Sequence, residues 1–149
     1  MKHRLGFVSN SSSSSFVVIA DNLHNKSDLQ ENGTEIVLGE CGETEFGWEF
    51  MNHHDFYSKL NFAFLQTTYS KKRGGRWYNM IEAVLLSAGI KIVGNSINDS
   101  YSGPGFFGYI DHQSSAIEDR NTEIFESEDV LKRFLFSKDS YIEQGNDNV

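Results

Sequence analysis

The chain has one cysteine, Cys41, in 149 residues. No intrachain disulfide can form, so the sequence reads as a protein of a reducing compartment rather than a small secreted scaffold. No apolar run approaches the roughly 20 residues that a membrane helix needs. Lys2 and Arg4 open the chain, but Ser and Asn follow where a leader peptide would place its apolar centre. A cytoplasmic protein with no membrane contact is expected. Catalytic signatures are also missing. There is no Gly-x-Ser-x-Gly elbow and no cysteine-protease signature. There is no Gly-Lys-Ser/Thr phosphate loop and no established metal-ligand spacing.

What remains is a globular composition, 38% apolar and 23% charged, enough to bury a core without staples. Twelve Phe residues point to a Phe-rich core or an aromatic contact surface. Net charge is −8 and is unevenly spread. Residues 1–55 carry three basic and nine acidic side chains, residues 56–98 six basic and one acidic, and residues 99–149 four basic and eleven acidic. A basic middle therefore lies between acidic flanks. Charge complementarity within the fold is the plain explanation, and a patch for an anionic partner is the sharper one.

The pattern predicts one α+β domain over 1–149, with a mostly antiparallel sheet and about three helices packed on it. Residues 1–15 form a Ser-rich N-terminal segment and 143–149 a polar tail. Phe16–Ile19 reads as a buried strand, and the Ser11–Ser15 backbone is expected to find partners. Further strands are expected at 34–38 and 44–50, the second with Phe46, Trp48 and Phe50 on one aromatic face. Asp55 can cap a helix carrying Phe56, Leu60 and Phe64. Lys71–Arg76 breaks that pattern, and Trp77, Ile81, Val84 and Leu85 mark a second helix ended by Gly89. A short strand at 91–93 is followed by a turn at Ser102–Gly105 and a returning hairpin strand at 106–111. Ser127 caps a last helix, and Tyr141-Ile142 would be a final edge strand. Strands and helices are grouped rather than alternating, which favours α+β over a doubly wound sheet.

The opening Arg4-Leu5-Gly6-Phe7-Val8-Ser9-Asn10, with Ser11–Ser15 and Phe16-Val17 after it, resembles the opening of a loose group of uncharacterised bacteriophage and bacterial proteins. Gly39-Glu40-Cys41-Gly42-Glu43, Gly108-Tyr109-Ile110-Asp111-His112 and Gly145-Asn146-Asp147-Asn148 are similar to segments of the same group. The resemblance implies a phage or prokaryotic origin, and no mechanism.

Several constellations could carry chemistry. His53, His54, Asp55, Asp99, Asp111 and His112 have the side chains of a divalent metal centre. The plain alternative is an Asp helix cap, solvated loop histidines and a hydrogen-bonded strand end. His112 with Ser114 or Cys41 could pair base and nucleophile, although a buried or half-buried structural cysteine is the commoner role. Lys71, Lys72, Arg73 and Arg76 stand beside Trp77 and Tyr78, a mixture that suits phosphate contact plus base stacking. Four cations are a small footprint, and a solvated loop explains them as well, so nucleic acid is not the expected partner. Trp48 and its aromatic neighbours would form a protein-binding patch if one face were exposed.

The expected function is binding: a phage-type accessory protein in the bacterial cytoplasm that blocks a host macromolecule or sequesters a small signal molecule, without a cofactor. The alternative is a small hydrolase or nuclease using a divalent metal, with Asp111 and His112 as its catalytic residues.

Overall fold

A computed structural model describes residues 13–26, 34–47, 50–98, 105–110 and 121–146. Helix α1, Phe56–Tyr69, runs through the middle of the fold. It starts where Asp55, in extended conformation, accepts the Ser58 N–H on its carboxylate at 2.9 Å. Phe56, Leu60, Phe62, Ala63 and Leu65 are buried on it, and so are Ser58, Lys59, Asn61 and Gln66. A helix buried on nearly every side needs a partner for each polar group it takes inside.

Helix α2, Gly74–Ser87, follows the short Ser70–Arg73 link and buries Trp77, Ile81, Val84 and Leu85. It begins before Trp77, with both glycines helical. The reason is the close crossing of the two helices. A Cβ on Gly74 would collide with the Thr67 carbonyl oxygen of α1, so only glycine fits there. Gly89, at φ 79°, supplies the expected left-handed stop. Helix α3, Glu128–Phe136, is capped as expected by Ser127, whose Oγ accepts the Val130 N–H at 3.1 Å.

The largest sheet is antiparallel and three-stranded. Strand β1 (Ser13–Val18) and strand β4 (Met51–His53) flank strand β9 (Tyr141–Asn146). This corrects the final edge strand and the start of the polar tail. Strand β9 is central and runs through Asn146, pairing with Ser13–Val18 on one side and Met51–His53 on the other. Backbone pairing on both sides holds Glu143 and Gln144 in place, and β1 alone carries the ladder on through Gly145 and Asn146, without apolar side chains. Ser13–Ser15 belong to the same ladder, so the Ser-rich segment contributes a strand. Val17 and Ile19 pack half-buried against the core, while Ser11 and Ser12 lie outside the described residues.

Three short parallel pairs complete the sheet structure. Strand β2 (Thr34–Leu38) pairs with β5 (Ile90–Asn95), and β3 (Glu45–Phe46) with β8 (Tyr109–Ile110). Strand β6 (Ile97–Asn98) pairs with β7 (Phe106–Phe107). The expected returning hairpin is therefore a parallel ladder, a pairing that local periodicity cannot encode. The expected 44–50 strand is split into β3 and β4. Phe46 is fully buried while Phe50 is 57% exposed, so they share no face. Trp48 lies outside the described residues.

The Phe-rich core is confirmed. Phe46 and Phe62 meet edge-on at 5.2 Å, and Phe62 reaches Phe134 at 6.4 Å. Phe56 stacks on Phe136 at 5.5 Å. Trp77 stacks on Phe125 at 4.7 Å with the ring planes 6° apart. Phe125 comes from a 3-10 turn, Thr122–Phe125, that no sequence pattern announced. No helix among the described residues is long and apolar enough to cross a membrane.

Candidate functional site

The histidine-acid segment is occupied by structural contacts. His53 is buried, with Nε2 3.2 Å from Gln144 Oε1 and its ring edge-on to Phe46 at 5.4 Å. His54 stacks on Tyr141 at 4.5 Å and sets Nδ1 2.7 Å from the Lys138 carbonyl oxygen. Asp55 caps α1. Among the described residues, no three His, Cys, Asp or Glu side chains are grouped as a metal site would require. Asp99, Asp111, His112 and Ser114 lie outside the described residues. Cys41 is exposed, which corrects its expected burial.

The basic segment is also divided. Lys71, Lys72 and Arg76 are exposed, but the Arg73 guanidinium sits 4.6 Å over the Trp77 ring. Trp77 is buried against Phe125, so it is no stacking platform for a base. Lys71→Ala, Lys72→Ala and Arg76→Ala should each change stability by only about 0–1 kcal/mol. Arg73→Ala should cost about 0.5–1 kcal/mol more, through the lost cation–π contact. Urea denaturation of the four variants separates these cases.

The polar side chains inside α1 act as clamps. Asn61 accepts the Gly39 N–H at 3.1 Å and donates to the carbonyls of Cys41 at 2.8 Å and Glu43 at 3.0 Å. Ser58 Oγ accepts the Glu43 N–H at 2.8 Å. Together they fix the 39–43 loop on the helix. Lys59 reaches the other way. Its Nζ donates to the carbonyls of Ser137 at 2.6 Å and Ser140 at 3.0 Å, in the buried turn between α3 and β9. Burial lowers the Lys59 pKa from 10.5 to about 8, with Asp55 and Asp139 pulling it upward.

Beside the C-terminal half of α1 lies a cleft of about 590 Å³. The helix supplies Phe64, Leu65, Thr68 and Tyr69, and β6 supplies Ile97 and Asn98. The facing wall is Phe107, Gly108 and Tyr109. That wall is tied down by its backbone. Gly108 N–H donates to Asn98 O at 2.9 Å, and Tyr109 N–H to Thr44 O at 2.9 Å. Thr44 Oγ1 donates to Phe107 O at 3.0 Å, and Ile110 N–H to the Tyr69 hydroxyl at 2.8 Å. The Phe107 and Tyr109 rings stand 5.2 Å apart at 41°, and Phe64 is held edge-on by Tyr78 at 6.1 Å. Among the described residues, no acidic or basic side chain lines the cleft. Its size and lining match those of small-molecule sites.

The cleft was not foreseen. Phe64 and Tyr69 signal a helix stripe, and Phe107 and Tyr109 signal strand aromatics. The parallel pairing of β6 with β7 and of β3 with β8, with the Ile110–Tyr69 bond, brings them together. A second, shallower groove of about 360 Å³ lies on the β4 edge, where Phe50 and Met51 are 57% and 44% exposed beside Glu143 and Gln144. Comparison of the chain with family models, with curated proteins and with solved structures found no match in any of the three.

Proposed function

We propose that this protein acts by binding, and that its site is the aromatic cleft between α1 and strands β6–β8, where it sequesters a small molecule. The observation that carries the reading is the combination at that cleft. Aromatic rings line a cavity of ligand size, on backbone held by several hydrogen bonds. Preorganised rings favour binding, while proton-transfer chemistry would need an acid or base within reach. The reading requires no cofactor. The phage-like opening of the chain supports an accessory protein of this kind, removing a small molecule of a bacterial host in its cytoplasm.

A screen of small aromatic fragments by saturation-transfer NMR tests the proposal. Thr68 stands exposed at the rim on α1, so Thr68→Trp should fill the cleft without disturbing the core. Fragments that bind the wild type should bind this variant at least about tenfold more weakly, as direct loss of contact area predicts. Undiminished binding by a folded Thr68→Trp protein would place the site elsewhere. A second reading, capture of a host protein strand, is favoured by the exposed Phe50 and Met51 on the sheet edge.

A further inference from the structure

Resting on that binding reading, we infer that Ile97 is the residue that sets how long a ligand the cleft admits. Ile97 lines the cleft from β6, together with Leu65 of α1 and Gly108 of the facing wall. Its two γ branches are each seated against a glycine. A Cβ added to Gly39 would lie 2.6 Å from Ile97 Cγ1, and one added to Gly108 would lie 2.5 Å from Ile97 Cγ2. Both approaches are closer than a side chain tolerates, so glycine at 39 and 108 lets two segments of chain close on this residue. The backbone beneath is held as tightly. Ser96 N–H donates to Leu38 O at 2.8 Å, and Ile97 N–H donates to Asn95 Oδ1 at 2.9 Å. A Cβ on Gly105 would collide with the Ser96 carbonyl oxygen.

A β-branched side chain has few rotamers to begin with, and contact on both branches leaves it one seating. Ile97 is therefore a fixed stop. Each ligand methylene that fits beside such a stop is worth about fourfold in affinity, and one that does not fit must displace packed atoms. Substitutions can move the stop in either direction. Ile97→Ala removes both γ branches and Cδ1, which lengthens the space. Ile97→Val takes away Cδ1 alone and keeps both glycine contacts. Gly108→Ala does the reverse. Gly108 does not take a positive φ, so alanine strains no backbone there. Its methyl would push on Ile97 Cγ2 while Gly39 blocks the other branch, and the side chain yields into the cleft.

The test uses a homologous series, 4-methylphenol, 4-ethylphenol and 4-propylphenol, titrated by NMR into the full chain as wild type, Ile97→Ala, Ile97→Val and Gly108→Ala. The readout is the affinity of the propyl compound relative to the methyl compound, a ratio that a general loosening of the fold would leave unchanged. Ile97→Ala should raise the ratio at least about fourfold, Ile97→Val should raise it less, and Gly108→Ala should lower it. If Ile97→Ala does not fold, Ile97→Val and Gly108→Ala decide the matter by the opposite signs of their shifts. One ratio in every folded variant, with binding that Thr68→Trp weakens, would overturn the role of Ile97 and leave the cleft standing as the binding site. Binding that Thr68→Trp does not weaken, or no binding of any member of the series, would overturn both readings.

Discussion

Lys59→Ala should destabilise the protein by about 3–5 kcal/mol, through a buried cavity and two carbonyls stripped of their donor. The Lys59 side chain is wholly buried, and its amine is hydrogen-bonded to Ser137 O and Ser140 O. Lys59→Met keeps most of the stem's volume and removes the donor alone, so it should cost less, about 1–3 kcal/mol. The wild type should also carry a pH signature that the Met variant lacks. Burial lowers the amine's pKa to about 8 in the fold, against its ordinary 10.5. Between those two values the unfolded chain still holds the proton and the folded chain has released it. Stability contributed by this group therefore rises as pH climbs from about 8 to 10.5, by up to about 3 kcal/mol, and below pH 8 the desolvated ammonium is a standing cost. Urea melts of wild type and Lys59→Met at pH 7.5 and pH 10 give the difference directly. A wild-type curve that tracks the variant's across that window would mean the amine is not desolvated.

Asn61→Asp should be nearly as damaging as Asn61→Ala, although it changes the side chain by little more than one atom. The amide nitrogen faces two carbonyls, Cys41 O and Glu43 O, while the amide oxygen faces the Gly39 N–H. A carboxylate keeps the contact to Gly39 and sets an oxygen against both carbonyls. Alanine loses all three bonds, though the exposed loop around Cys41 lets water reach some of the freed groups. Either variant should cost about 2–3 kcal/mol. Amide exchange would localise the effect, with Gly39 losing protection in Asn61→Ala while α3 keeps it in both variants. Unchanged protection of the Gly39 amide in Asn61→Ala would contradict the clamp.

The parts of the fold that the sequence announced are those specified locally. Strand β2 occupies 34–38 as expected, and Asp55, Ser127 and Gly89 mark helix ends because capping is a contact across a few residues. The parts it concealed depend on distant chain. Glu143–Asn146 has no apolar alternation, yet it is strand, because β1 pairs with all of it and β4 with Glu143 and Gln144. Gly74 and Gly75 look like a break, but the α1–α2 crossing requires the first of them. Trp77 sits beside four cations in sequence and beside Phe125 in space, which removes it as a stacking platform. Lys59 and Asn61 lie among the apolar residues of α1, where spacing alone does not distinguish a clamp from a solvated side chain. The cleft was concealed for the same reason as β9, since β6 and β7 meet only through a non-local parallel ladder.

The most direct measurement is an isotope-filtered NOE experiment on the full chain with a bound aromatic fragment. The cleft assignment predicts contacts from the ligand to the ring protons of Phe64, Phe107 and Tyr109, and to the Thr68 methyl group. Contacts to Phe50 and Met51 on the β4 edge instead, or to the exposed Leu86 and Val93, would contradict it.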